Sequence, residues 1–257
     1  MASRTSRTLD LALKKLAGSG RLPGNIDSAE QSRIRRQIRE QAIFSAKVHK
    51  ARILEGIRDT TEKVLRKEVS PMEARDMLRG IVEGTGYEAP AGLEGSIQDL
   101  TSDQRLDLII QMNRDRARGY GSYAQAQATL DEFPFWELVR LHPRREPRDW
   151  MTRWVEAGGE LVDGKMMAPV NGRLWTSLSA FGTPYPPFDW GSGMGVRRVA
   201  RKRVEAAGVK VPKQKPKKLP AFGDGDTNLP ADPKIAKQLL KDLGPGYRVS
   251  RGKIMRA

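Results

Sequence analysis

The sequence has no cysteine. That removes disulfides, thiolate zinc sites and cysteine nucleophiles together, and it suits synthesis in a reducing cytoplasm. Histidine is nearly as scarce. His49 and His142 are the only two; they lie in segments of different character and neither has a ligand-spaced partner, so no metal site is expected. No apolar run approaches the roughly 20 residues needed to cross a bilayer, so no membrane partner is expected. The first residues, MASRTSRTLDLALKKLAG, lack a long apolar centre and a cleavage site, and they read as a partly ordered arm, not a secretion signal. Phosphate loops are missing too. Gly191-Ser192-Gly193-Met194-Gly195 lacks the Lys-Ser/Thr ending of a Walker A loop, and the aromatic, proline-rich residues before it are not the buried strand of a dinucleotide motif. There is no nucleophile elbow. These gaps point away from an enzyme, with no catalytic residue, metal or cofactor expected. Glu132, Glu137, Asp149 and Glu156 cluster near an aromatic segment, where the default for carboxylates is a solvated surface.

What the chain does have is positive charge. The formal net charge is +15 over 257 residues, and it is unevenly placed. Residues 1–70 carry 16 Lys+Arg against 8 Asp+Glu, residues 71–196 carry 13 against 18, and residues 197–257 carry 17 against 5. A slightly acidic middle thus sits between two basic ends. Such ends attract polyanions by neutralising phosphates and releasing counterions, whatever the base sequence. The alternative is a pair of solvated tails that only aid solubility.

The pattern along the chain divides it into an N-terminal arm (1–27), a helical region (28–131), a compact domain (132–208) and a basic C-terminal extension (209–257). The arm carries Leu9, Leu11, Leu13 and Leu16 and is broken by Gly18-Ser19-Gly20 and Pro23-Gly24-Asn25. Ser28, with Gln31 three residues on, opens a helical pattern that continues to about Val69, as one long helix or an antiparallel pair. Ser70-Pro71-Met72-Glu73 is a helix start with an N-cap, Pro at the first position and Glu at the third, and Gly84 stops that helix. Residues 84–100 read as a loop. A further helical segment runs from Ser102 to about Ala117. Helix is also expected from Ala117 to Asp131, interrupted at Gly119 and Gly121.

The character changes at Phe133. Phe135 to Leu141 reads as a strand, and Pro147 to Ala157 as a short helix ending at Gly158-Gly159. Leu161-Val162, Asp163-Gly164 and Lys165-Met166-Met167 form a hairpin signature. Residues 173–180 suit one or two helical turns. Phe181 to Trp190, with Pro184, Pro186 and Pro187, can be neither regular helix nor central strand. Arg197 to Ala207 reads as a last basic helix, Lys210 to Pro220 as an extended basic linker, and Pro233 to Leu243 as an amphipathic turn. The fold class expected is α+β: long, bundle-like N-terminal helices, then a compact α+β domain with a small antiparallel sheet, and extended basic tails that order on a partner. Trp136, Trp150, Trp154, Trp175, Phe181, Tyr185, Phe188 and Trp190 are expected to form the core of that domain or its docking face. A base-stacking platform is the competing reading for such aromatics among arginines.

Several blocks are familiar: Arg118-Gly119-Tyr120-Gly121 with Gln125 and Gln127, then Trp136-Glu137-Leu138-Val139-Arg140, then Glu146-Pro147-Arg148-Asp149-Trp150. Phe181-Gly182-Thr183-Pro184-Tyr185-Pro186-Pro187-Phe188-Asp189 and Ser192-Gly193-Met194-Gly195-Val196 complete the set. Over roughly residues 30–205 the chain resembles the phage head-morphogenesis, Mu F-like minor head proteins of tailed phages and prophages. It departs from many members in lacking their Cys, and His142 does not match their Arg-x-x-His segment. The resemblance implies a virion protein of low copy number, multiple copies per virion included, made in the bacterial cytoplasm and housed in the head interior or near the portal. Implied partners are the portal protein, the major capsid protein and non-specifically bound double-stranded DNA. Docking, not catalysis, would be its mechanism. Arg197, Arg198, Arg201, Lys202, Arg203, Lys210, Lys213, Lys215, Lys217 and Lys218 are the residues expected to meet phosphates. Rival readings are a free, sequence-nonspecific nucleic-acid-binding protein and a DNA-processing enzyme using Asp149 or Asp189.

Overall fold

A computed structural model describes residues 4–21, 42–43, 48, 50–143 and 146–219, with short pieces at 229–230, 237, 240, 245–250 and 253–256. The chain forms two compact units, one of residues 12–117 with 221–257, the other of residues 1–11 with 118–220. The fold is α+β.

In the first unit, α1 (Arg4–Ala17) supplies its buried Ala12 and Leu16. The strands β1 (Gly20–Arg21) and β2 (Ala42–Ile43) then pair in parallel. The next described helix is α2 (Ala51–Arg66), after Lys50 at φ −79°, ψ 115°. The unbroken helical pattern from Ser28 is therefore corrected over its described part: Ala42-Ile43 are extended, because pairing with Gly20-Arg21 overrides a weak local preference. The capping box at Ser28 and Gln31 lies outside the described residues. α2 buries Ile53, Leu54, Ile57, Val64 and Leu65. It ends at Lys67 in the left-handed region, whose N–H caps the Lys63 and Val64 carbonyls.

α3 (Pro71–Glu83) starts with a complete capping box. Ser70 Oγ accepts from the Glu73 N–H at 3.2 Å, and Glu73 Oε2 accepts from the Ser70 N–H at 2.7 Å. Its Ala74, Leu78 and Val82 are buried, four residues apart on one face. The loop after it is organised by Asp99, which accepts from the Gly95 N–H (2.9 Å), the Thr101 N–H (2.8 Å) and the Thr101 hydroxyl (2.7 Å). Burial pushes the Asp99 carboxyl up. Those donors outweigh it, and it titrates below its ordinary value. Ser102 Oγ then accepts from the Arg105 N–H and caps α4 (Asp103–Gln127). Near the C-terminus, β8 (Tyr247–Ser250) and β9 (Lys253–Arg256) make an antiparallel hairpin, with β7 (Leu229–Pro230) on the other edge of β9. Between them only Lys237 and Leu240 of the expected amphipathic turn are described, both helical.

α4 runs without interruption through Gly119 and Gly121, against expectation. Gly119 is there for proximity, not for a break. A Cβ on it would stand 1.8 Å from the Pro186 carbonyl oxygen, so only glycine lets the helix reach that peptide. The Pro186–Pro187 bond is cis.

The second unit is built on a four-stranded antiparallel sheet in the order β4 (Leu161–Val162), β5 (Lys165–Pro169), β3 (Phe135–Arg140), β6 (Met194–Val199). β3 is central. It pairs with β5 from Phe135 opposite Pro169 and with β6 from Phe135 opposite Val199. The β4–β5 turn has Asp163 at φ 51° and Gly164 at φ 68°, the two left-handed positions that Asp-Gly fills in a type I′ hairpin. α5 (Trp150–Glu156) is capped by Asp149, which accepts from the Thr152 N–H and hydroxyl; the hydroxyl bond is the main reason its carboxyl titrates below the ordinary range. α6 (Leu174–Leu178) and α7 (Arg201–Ala206) complete the unit. The expected helix from Arg197 begins only at Arg201. Met194 to Val199 are drawn into the sheet by six successive pairings with β3, which outweigh a local basic-helix pattern.

The aromatic residues fill the space between these elements. Trp136, Trp154, Trp175 and Phe188 are at most 1% exposed. Each buries about 150–250 Å², on the order of 4–6 kcal/mol of hydrophobic stabilisation before entropy is counted. Their rings form a chain. Tyr120 meets Tyr185 edge-on at 6.0 Å, Tyr185 meets Tyr123 at 5.6 Å, and Tyr123 meets Trp136 at 5.9 Å. Trp175 then joins Trp136, Trp154 and Phe188 at 5.5–5.8 Å.

Candidate nucleic-acid interface

The basic stretch from Arg197 to Lys218 holds ten Lys and Arg against one acidic residue, Glu205. It belongs wholly to the sheet-bearing unit, and the fold sorts its charges into engaged and displayed. Arg197, on β6, is engaged. Its Nη2 donates to both Glu137 oxygens at 2.8 Å and its Nε donates to Oε2 at 3.2 Å. These two residues are directly opposite each other across the β3–β6 pair. Glu137 is 8% exposed at its side chain and Arg197 57%, so the pair neutralises a buried carboxylate from a half-solvated cation. Arg198 lies over the Phe133 ring, its guanidinium carbon 4.8 Å from the centroid. Arg201 donates from Nε to the Asp131 carbonyl at 2.8 Å and sits 3.7 Å from Glu205. Lys202 and Arg203 are exposed on α7.

Residues 209–219, after α7, form no helix or strand, yet they stay on the domain. Val209 and Val211 pack against a cluster of Phe135, Met167, Val199 and Val204. Gln214 donates to the Pro134 carbonyl at 2.7 Å and accepts from the Asn171 N–H at 2.9 Å. Asn171 Nδ2 donates to the Lys215 carbonyl at 3.0 Å, and the Lys217 N–H donates to Gln127 Oε1 at 2.9 Å. The Lys217 ammonium donates to the Asn171 carbonyl at 3.2 Å, at the surface. Gln127 and Asn171 are tied by a reciprocal amide pair at 3.0 and 3.2 Å, with the Tyr123 hydroxyl donating to Asn171 Oδ1 at 3.4 Å. Lys210, Lys213, Lys215 and Lys218 are exposed.

Phe133 lies beneath Arg198, but the aromatic residues expected in the core take no part in this surface. Trp136, Trp150, Trp154, Trp175, Tyr185 and Phe188 are 0–3% exposed, which leaves no ring face for a base. Phe181 and Trp190 are half-buried and pack on each other edge-on at 5.2 Å. The carboxylates near them have structural partners. Asp149 caps α5, and Asp189 is held by Arg153 at 2.9 Å and Arg148 at 3.4 Å. No cluster of three His, Asp or Glu that could hold a metal occurs among the described residues, and no described helix is long and apolar enough to cross a membrane.

Nothing in the sequence alone marks Gln127, Asn171 and Gln214 as partners. The only signal was indirect: Gln127 belongs to one of the blocks that carry the family resemblance, and Asn171-Gly172 marks a turn.

Among known proteins, the chain is 27% identical over 172 residues to the "Mu-like prophage FluMu F protein" of Haemophilus influenzae, covering 66% of this chain and 38% of that protein. It is 24% identical over 181 residues to the "Putative capsid assembly protein F" of Escherichia phage Mu, covering 66% of this chain and 36% of that protein. The match thus spans well under half the length of either relative. No family profile matches the chain, and no solved structure does. The resemblance read from the sequence and these two similarities thus point to the same group of proteins.

Proposed function

We propose, taking kinship with the Mu F-like proteins as the premise, that this chain is a structural component of phage or prophage head assembly and not an enzyme. The observation that carries the proposal is the similarity to two F proteins over two thirds of the chain, one of them named for capsid assembly. In this reading the chain resides in the virion, in the head interior or near the portal, and docks on the portal and major capsid proteins through its folded regions. Its basic ends meet packaged double-stranded DNA without reading bases. The proposed functional division is an arm at 1–27, a helical region at 28–131, a Mu F-like domain at 132–208 and a basic extension at 209–257. The non-enzymatic reading gains support from Asp149 and Asp189, which are spent on a helix cap and on two arginines.

The test is physical association. Purified heads should contain the chain by immunoblot, and immobilised portal protein should retain it at physiological salt. Absence from particles together with no retention on portal would refute the proposal. A salt-sensitive DNA complex without portal affinity would favour a free, non-specific nucleic-acid-binding protein, the reading that the displayed lysines support independently of kinship. DNA cleavage lost on Asp189→Asn with the fold intact would favour an enzyme.

A further inference from the structure

We propose that the Gln127–Asn171–Gln214 clasp holds residues 209–218 as a fixed rail for the sugar–phosphate backbone of double-stranded DNA; the inference rests on the DNA-contact reading above. By composition this segment should stay disordered: it alternates Lys with Pro212 and Pro216 and has little apolar content. Instead the domain fastens it at both ends, by Val209 and Val211 on one side and by the amide bonds of Gln214, Lys215 and Lys217 on the other.

The kind of fastening matters. The amide bonds use neutral side chains and backbone, so the clasp consumes no lysine charge. Lys217, also exposed, is the one lysine of the described segment whose ammonium bonds to the domain, at the Asn171 carbonyl. Lys210, Lys213, Lys215 and Lys218 are exposed, and no ion pair among the described residues uses them. A tail kept only for solubility has no need of a built anchor. A tail folded onto the domain by charge would pair its lysines with carboxylates, and these lysines do not.

The dimensions suit a duplex. Nine residues from Lys210 to Lys218, at about 3.1 Å each in an extended proline-rich conformation, span roughly 25 Å. One DNA strand advances about 3.4 Å per phosphate, so the rail runs past roughly seven phosphates. Four lysines along it give point-charge contacts with no bidentate geometry for base edges. A segment already ordered binds more tightly than a free one, because ordering is not charged against association.

The experiment measures anisotropy of a labelled 30-base-pair duplex of arbitrary sequence with the full chain, across a salt series. Asn171→Ala and Gln214→Ala break the clasp without changing net charge. Lys213→Gln/Lys215→Gln/Lys218→Gln removes charge and keeps the clasp. The clasp variants should bind about 5- to 30-fold more weakly with the salt slope unchanged. The triple variant should flatten the slope of log K against log salt by about 2 to 3. Hydrogen exchange at the Lys217 amide should be slow in the parent and fast in Gln214→Ala. If Asn171→Ala does not fold, Gln214→Ala decides, because its side chain lies on the strap and not in the domain core. Clasp variants that bind like the parent while the triple variant binds weakly would overturn the rail and leave the DNA-contact reading standing. If the triple variant also binds like the parent, or the parent binds no duplex, the DNA-contact reading falls as well.

Discussion

Gly119→Ala sets two well-measured effects against each other. Alanine in a helix interior is favoured over glycine by about 1 kcal/mol, and α4 continues eight residues beyond this position. Set against that, the new Cβ would lie 1.8 Å from the Pro186 oxygen, 2.8 Å from its carbon and 3.3 Å from Tyr185 Cδ2. Two of those atoms are backbone, so relief requires the Pro186 peptide to retreat by more than an ångström. Tyr185 would move with it, out of its contacts with Tyr120 and Tyr123. Overpacking of this kind costs about 3 kcal/mol or more, so the net expectation is a loss of about 2 kcal/mol or more. For a unit of this size that lowers the melting temperature by roughly 8–16 °C. All five tryptophans, from Trp136 to Trp190, belong to the affected unit, so their fluorescence follows its melting alone. Gly80→Ala is the control. Nothing lies within 4 Å of a Cβ at that α3 position, and the substitution should stabilise by about 0.5–1 kcal/mol, followed by far-ultraviolet dichroism. If Gly119→Ala melts at or above the parent by tryptophan fluorescence, close approach is not the reason for glycine there.

Arg197→Met should destabilise the sheet-bearing unit by about 1–3 kcal/mol in denaturant unfolding, because it strands the buried Glu137 carboxylate; adding Glu137→Gln should recover part of the loss. Gly159→Ala, whose Cβ would stand 2.4 Å from Trp154 Nε1, should break the Trp154–Glu160 hydrogen bond and cost about 2–3 kcal/mol, seen as an earlier fluorescence transition. Asp99→Asn should cost the helical unit about 1–2 kcal/mol near neutral pH. The Asp99 carboxyl titrates lower when folded than when unfolded, so its contribution is full above the ordinary Asp range and is lost as pH falls through the lower folded value. The difference between parent and variant should therefore shrink on acidification, and a gap constant down to the acid limit would refute the assignment.

Signals confined to a few neighbouring residues are legible directly in the sequence. Ser70-Pro71-Met72-Glu73 forms the capping box, Gly84 ends that helix, and Asp163-Gly164 makes the hairpin, because each motif is satisfied by atoms within four residues. The features that sequence misreads depend on distant partners. Gly119 resembles a helix breaker until Pro186 is beside it. Arg197 and Arg198 suit a helix until β3 offers a strand to pair with. Tyr247–Ser250 and Lys253–Arg256 read as part of a basic tail and pair as antiparallel strands. The candidate interface is legible as charge and opaque as geometry. Counting lysines locates the segment, but amides 43 and 44 residues apart hold it in place, and an isolated Gln or Asn carries no spacing rule that would reveal them.

The first eleven residues belong to the same compact unit as residues 118–220, and the Thr8 hydroxyl donates to Gln125 Oε1 at 2.6 Å, 117 residues later in the chain. This makes the unit discontinuous in time as well as in sequence. A ribosome adding about 5–20 residues per second reaches Gln125 roughly 6 to 23 s after Thr8. Through that interval the start of α1 has no completed partner surface to dock on. Fragments cut at Phe133 omit both ends of this contact, so a stable version of the domain should carry the N-terminal helix with it, supplied in the same chain or as a separate peptide.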